Sequence, residues 1–312
     1  MKTVSGPYDV SPFYSLYKSL TVPSLRPVTL QCVGRIFYNF FLRQYLAAWL
    51  PGRVPVSRVD HPLDEKIPFV PSWVKIYLDF IFFWMRMLSY LLHAFGRRAF
   101  GPVKEFIGSM GRLYAFAAEA YSKNFSTTDR PFYIARPRFF LIHLVDPHLM
   151  CIPSLHVMVV MWTYTRFAVI LRDLGEAESH TAQIEEMKQG ALAITRAILF
   201  VKQHSVNCIP AAFYAISRFN PELFPPERVE AFANLLFTSA VSKPGYATRN
   251  AARTKNSRVC PGAAPATGIP AADAGEITSH IIDLYRHFLS EGKTAKSWEK
   301  PLLRFMRQLP KK

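Results

Sequence analysis

Three short clusters carry the residues of this chain best suited to chemistry: Lys123-x6-Arg130-Pro131, Pro153-Ser154-Leu155-His156 and Lys202-Gln203-His204. Together they supply three cations, one hydroxyl and two imidazoles. A phosphate ester needs such a set to be held and cleaved without a metal. Cations and a hydroxyl neutralise the non-bridging oxygens, one imidazole attacks phosphorus, and the other protonates the leaving oxygen.

Apolar segments must position these clusters. Residues 28–50, 71–95, 103–121, 155–171, 187–202 and 205–219 read as candidate membrane spans. From His156 to His204 is 48 residues. Two crossings of roughly 16–20 residues and a turn fit that length. The connector, Asp173 to Glu186, is acidic and polar, as a solvent-side loop should be. The chain thus returns His204 to the face from which it left at His156, and Lys123 and Arg130 follow the third span on that same face. Within the spans, Asp79 and Arg86 lie seven residues apart, on one helical face, as do Arg112 and Glu119. Such charges are expected to face the bundle interior or each other. Gly108, Ser109, Gly111 and Ala115 are small enough to allow close helix contact.

Composition narrows the class. The chain has 312 residues, is 50% hydrophobic and 14% aromatic, and carries a formal net charge of +16. That charge could suit nucleic acid, but no nucleic-acid motif is present. The basic residues instead flank apolar segments, as the positive-inside rule places them. Four cysteines, Cys32, Cys151, Cys208 and Cys260, lie far apart with no Cys-x2-Cys pair, so neither a disulfide framework nor a zinc site follows. Residues 1–26 lack the apolar core of a cleaved signal peptide, leaving the first span as the insertion signal. Arg97, Arg98 and Lys104 flank the turn between spans two and three, and residues 239–312 hold thirteen Lys or Arg against five Asp or Glu. Both regions belong on the cytoplasmic side, so the motif face is extracytoplasmic. Residues 243–275 read as a linker rich in Gly, Ala, Pro and Thr. Beyond it, Ile277, Ile281, Leu284, Tyr285 and Phe288 fall at helical spacing. That basic amphipathic tail either lies on an anionic bilayer or packs on the bundle as a helical cap.

The order and spacing of the three clusters resemble the type-2 phosphatidic acid phosphatase superfamily, relatives of the vanadium haloperoxidases. That family is patterned Lys-x6-Arg-Pro, then Pro-Ser-x-His, then Ser-Arg-x5-His-x3-Asp, and a branch acting on inositol- and sphingolipid-type substrates writes the third motif as Lys-Gln-His. Asp64-Glu65-x-Ile67-Pro68-Phe69 resembles the run preceding the second span in that branch. The resemblance covers roughly residues 60–220. It implies His204 as the nucleophile forming a phospho-histidine and His156 as the general acid. Lys123, Arg130, Ser154 and Lys202 are implied as phosphate ligands, with no metal and no cofactor. Two departures stand out. Ala197-Ile198 replaces the Ser-Arg pair, and Cys208 replaces the Asp that would orient His204. On the motif alone, restoring that carboxylate with Cys208→Asp should raise turnover.

The fold expected is all-α: a polytopic membrane helical bundle of about six spans with a basic C-terminal tail. Its parts are an N-terminal cytoplasmic segment (1–27), a membrane phosphatase-like helical domain (28–242), and a basic linker with an amphipathic tail (243–312). The expected function is a lipid phosphate phosphatase or lipid head-group phosphotransferase, with membrane lipids and a lipid phosphate as partners. The alternative is a catalytically impaired relative that binds anionic lipid without turnover.

Overall fold

The computed structural model describes residues 5–50, 52–133, 135–238 and 268–311. Most of the expected linker, 243–275, and Cys260 with it, lie outside the described residues. The chain is mostly helical, as its patterning predicts. α1 (Phe13–Thr21) and α2 (Arg26–Ile36) lead through a π-helical turn, Phe37–Leu42, into α3 (Arg43–Trp49). Pro27 sits in the first turn of α2, where its missing N–H leaves no broken bond. α4 (Val74–Leu78), α5 (Phe80–Phe95) and α6 (Phe100–Tyr121) follow, then α7 (Pro137–Val145). α8 (Leu155–Asp173) and α9 (Thr181–Phe200) form the antiparallel pair at the centre. α10 (Cys208–Phe219), α11 (Pro226–Leu235), α12 (Ala271–Thr294) and α13 (Lys300–Gln308) complete the bundle.

α8 and α9 are packed on nearly every side. Residues 157–162 of α8 and 197–200 of α9 are at most 3% exposed. Burial of each large apolar side chain contributes about 1.5–3 kcal/mol. α2 approaches α6 closely because Gly111 lacks a side chain; a Cβ there would stand 3.2 Å from the Cys32 Cα. Asp79 and Arg86 face each other at 2.9 Å, both largely buried. Arg112 and Glu119 do not pair in this way. Glu119 instead accepts a hydrogen bond from the Trp298 indole at 2.7 Å.

The C-terminal tail packs on the bundle. Ile277, Ile281, Tyr285 and Phe288 of α12 are buried, and Tyr285 meets Ser217 of α10 at 2.9 Å. Two three-residue strands, β1 (Val56–Arg58) and β2 (Phe125–Thr127), pair in parallel, with Ser57 opposite Ser126. The chain end joins this patch, since Ser57 Oγ donates to the Met306 carbonyl at 2.7 Å and Arg58 N–H to the Pro310 carbonyl at 2.8 Å.

Among the described residues one helical run, Pro71–Tyr121, is long and apolar enough to cross a membrane. The candidate spans 71–95 and 103–121 both fall within it. The other four, 28–50, 155–171, 187–202 and 205–219, coincide with helices that do not meet that criterion. Arg35 and Arg43 interrupt the first, Glu185, Glu186 and Lys188 stand in the early turns of α9, and α10 has only 12 residues.

α9 ends in a Schellman cap. The N–H of Lys202 bonds the Leu199 carbonyl at 2.9 Å and that of Gln203 bonds the Ile198 carbonyl at 3.0 Å. This cap needs a left-handed residue, usually glycine, and here Lys202 adopts φ +53°. The turn directs the chain back so that His204 follows two residues later. Lys202→Gly and Lys202→Ala both remove the side chain but differ in the cost of left-handed backbone. The glycine variant should therefore be the more stable of the two by roughly 1 kcal/mol in denaturant unfolding. Equal stability would mean the cap is not formed.

Candidate active site

His156 is the second residue of α8, and His204 lies just beyond the end of α9, so antiparallel packing brings the two together. His204 Nε2 is 3.2 Å from His156 Nδ1, with ring centroids 5.2 Å apart and planes at 71°. The His156 ring is fixed by aromatic neighbours. It stacks on Tyr77 at 4.7 Å and lies against Phe80 at 4.2 Å. Asp64 fixes the loop on both sides of His204. Its Oδ1 accepts from the Val206 N–H at 2.8 Å, and its backbone carbonyl accepts from the Lys202 ammonium. The Nδ1 of His204 is buried without a well-aligned hydrogen-bond partner.

Of the anion-binding candidates, Arg130 and Ser154 lie with this pair. Arg130 donates to Gln203 Oε1 at 3.2 Å, next in sequence to His204, and to the Asp146 carbonyl at 3.0 Å. Ser154 precedes the first residue of α8, fully buried, and its Oγ has no partner. The first N–H groups of a helix lack intrahelical acceptors and attract anions, so the start of α8 beside a free hydroxyl suits phosphate oxygens. The two lysines are differently placed. Lys123 forms an ion pair with Glu299, whose carboxylate is only 2% exposed, and Lys202 is committed to the Asp64 carbonyl. Both must exchange partners before they can hold phosphate.

A second cluster of ionisable groups adjoins His204. Its residues, Asp146, His148 and Cys151, occupy the loop before α8. His148 N–H donates to Asp146 Oδ1 at 2.9 Å, its Nδ1 is 3.7 Å from Asp146 Oδ2, and its Nε2 lies 2.8 Å from Thr128 Oγ1 and 3.6 Å from Cys151 Sγ. Burial alone would raise the Asp146 carboxyl, but His148 and Arg130 hold it down at about 2. Burial likewise opposes a charged His148, yet Cys151 and Asp146 hold its pKa up at about 9. Burial would raise the Cys151 thiol, but the Cys208 and His148 side chains bring it well below the ordinary thiol range. The loop is pinned to β2: Ser126 N–H donates to the Leu149 carbonyl at 3.0 Å and Ser126 Oγ accepts from the Ile152 N–H at 2.7 Å.

No known protein family, curated protein or solved structure matches the chain. The site therefore stands on its geometry. Motif reading singled out neither His148 nor Cys151, nor the bridging role of Gln203. The available signal was Asp146-x-His148-x2-Cys151, three reactive residue types within six positions of one another and directly ahead of Pro153.

The pH dependence of stability tests this cluster. The folded pKa of His148 lies above its ordinary 6.5, so its stabilisation is complete below pH 6.5 and is lost as pH rises through about 9. The Asp146 contribution has the opposite sense: it is present above pH 3.8 and lost as pH falls through about 2. His148→Gln should lower the unfolding free energy below pH 6.5 by more than about 1 kcal/mol and flatten its fall towards pH 9. Parallel curves for the two proteins would show that His148 is not held charged.

Proposed function

We propose that the chain is a divergent member of the type-2 phosphatidic acid phosphatase superfamily that cleaves or transfers a lipid-linked phosphate through a phospho-histidine. The observation that carries this reading is the part-buried His156–His204 contact at 3.2 Å, beside Arg130 and the unpartnered Ser154 hydroxyl. His204 Nε2 attacks phosphorus and the ester P–O bond breaks. His156 gives its proton to the departing oxygen. A water or alcohol then gives its proton to His156 as its oxygen attacks phosphorus, and the N–P bond breaks. Phosphatase and phosphotransferase differ only in that acceptor.

Lipid as the substrate's carrier is supported by the apolar run Pro71–Tyr121 and by exposed apolar side chains on the N-terminal helices, among them Phe13, Tyr17, Leu30, Val33 and Phe37. Exposed Phe132, Phe140, Leu141 and Leu144 add a second such surface on and before α7. Large exposed apolar surfaces mark contacts with membranes or partners. The multi-span arrangement, with the motif face extracytoplasmic, belongs to this proposal.

A second reading, an anionic-lipid binder without turnover, draws on the commitment of Lys123 and Lys202 to other partners and on Cys208 in place of the motif carboxylate. The purified protein in detergent separates the two. On the enzymatic reading it releases or transfers phosphate from a lipid phosphate and binds vanadate, a mimic of pentacovalent phosphorus. His156→Ala should cut turnover by about 10²–10⁴-fold, and His204→Ala should leave only background. Anionic-lipid binding that survives His204→Ala, with no wild-type turnover and no vanadate binding, would establish the binder.

A further inference from the structure

Cys208 opens α10 fully buried, so no carboxylate stands one turn beyond His204. Yet the Nδ1 of His204, the atom such a carboxylate would engage, is buried and lacks a well-aligned partner. An imidazole that must attack through Nε2 needs its proton held on Nδ1, and it needs a negative charge nearby once it becomes cationic. The group next to it is Cys151. Its sulfur lies among Cys208, His148 and His204, with His148 Nε2 the group that meets hydrogen-bond geometry. Behind it stand His148 at 3.6 Å and, bonded to His148, Asp146. The His148 and His204 rings are 6.4 Å apart. A line of adjacent groups thus runs from Asp146 through His148 and Cys151 to His204 and His156.

The backbone is specialised to make that line. His148 adopts φ +58°, a left-handed conformation uncommon outside glycine, and its surroundings hold it there. Leu149 N–H donates to Gln44 Oε1 at 3.0 Å, Cys151 N–H to the Ser126 carbonyl at 3.3 Å, and His148 Nε2 meets Thr128 Oγ1 at 2.8 Å.

We propose that Cys151, backed by His148 and Asp146, is the positioning group of His204, filling the role that the motif assigns to a carboxylate at position 208. The inference rests on the phospho-histidine reading. The surroundings of Cys151 favour an anion there, since the His148 ring, paired with Asp146, lies 3.6 Å from the sulfur and the Cys208 thiol is beside it. Tyr77, Tyr121 and His156 are further ionisable groups near the sulfur. Arg130 lies 3.9 Å from the Asp146 carboxylate. With sulfur as acceptor, His204 carries its proton on Nδ1 and leaves the Nε2 lone pair facing His156 and the phosphorus. No bond to sulfur forms at any step; the thiolate only compensates the charge that His204 gains.

The test uses the full chain in detergent micelles. In ¹⁵N-histidine NMR, wild-type His204 should show the Nδ1–H form, and Cys151→Ala should shift it towards Nε2–H, with the near-isosteric Cys151→Ser intermediate. In turnover, Cys151→Ala should lower kcat by about 100-fold or more while KM changes by less than about threefold, as for a residue acting on the transition state alone. Cys208→Asp by itself should bring no gain, because the new carboxylate abuts the Cys151 sulfur, contrary to the expectation from the motif alone. In the Cys151→Ala background the same substitution should recover at least about tenfold in kcat. An unchanged His204 tautomer in folded Cys151→Ala overturns the proposal, as does a tenfold gain from Cys208→Asp alone or phosphate trapped on Cys151. If the wild type turns over no lipid phosphate, the enzymatic reading fails, and the NMR comparison still decides whether Cys151 positions His204.

Discussion

The two imidazoles meet only because the helix ends that carry them coincide, and that contact organises the site. α8 starts at the site and α9 ends there, so their antiparallel contact sets the His156–His204 distance at 3.2 Å. The rest of the bundle keeps this contact from sliding. α5 and α6 press on α8, α10 runs on from the site, and α12 covers α10. The left-handed Lys202 then turns the chain sharply enough for His204 to face the start of α8.

Polar restraint complements the apolar packing. Asp64 grips the loop on both sides of His204, while Ser126 stitches the loop before α8 to a strand that Ser57 ties to the C-terminus. Each of these bonds satisfies a group whose burial would otherwise cost about 1–3 kcal/mol. The C-terminal tail is therefore coupled to the loop before α8: residues 306–311 close a patch whose other edge is Ser126 and Met150. Glu299 adds a second link by engaging Lys123, so the tail also bears on which cations near the site are free.

Much of this was legible in the sequence for physical reasons. The 48-residue interval from His156 to His204, with its acidic connector, encodes an out-and-back helical pair whatever the surroundings. Asp79 and Arg86 at seven-residue spacing had to share a face, and they pair. The small residues of α6 do permit close approach by α2. Other features were not legible, because they depend on contacts across long separations. Lys123 finds Glu299 176 residues away, and nothing local marks that pairing. The strands β1 and β2 have three residues each, too few to show a period, so the loop they pin was hidden with its His148 and Cys151. The end of α9 carries lysine where the cap ordinarily takes glycine, which removes the usual stop signal. Of the six spans read from hydropathy, two fall in the one helical run among the described residues that is long and apolar enough to cross a membrane.

The central claim is that His204 carries the phosphoryl group between donor and acceptor. Rapid-quench labelling with a lipid bearing radioactive phosphate tests it most directly. The account predicts label on the protein that is stable to alkali, labile to acid, mapped to His204 and absent from His204→Ala. Turnover of the lipid with no such label at short times, or with label on another residue, would contradict it.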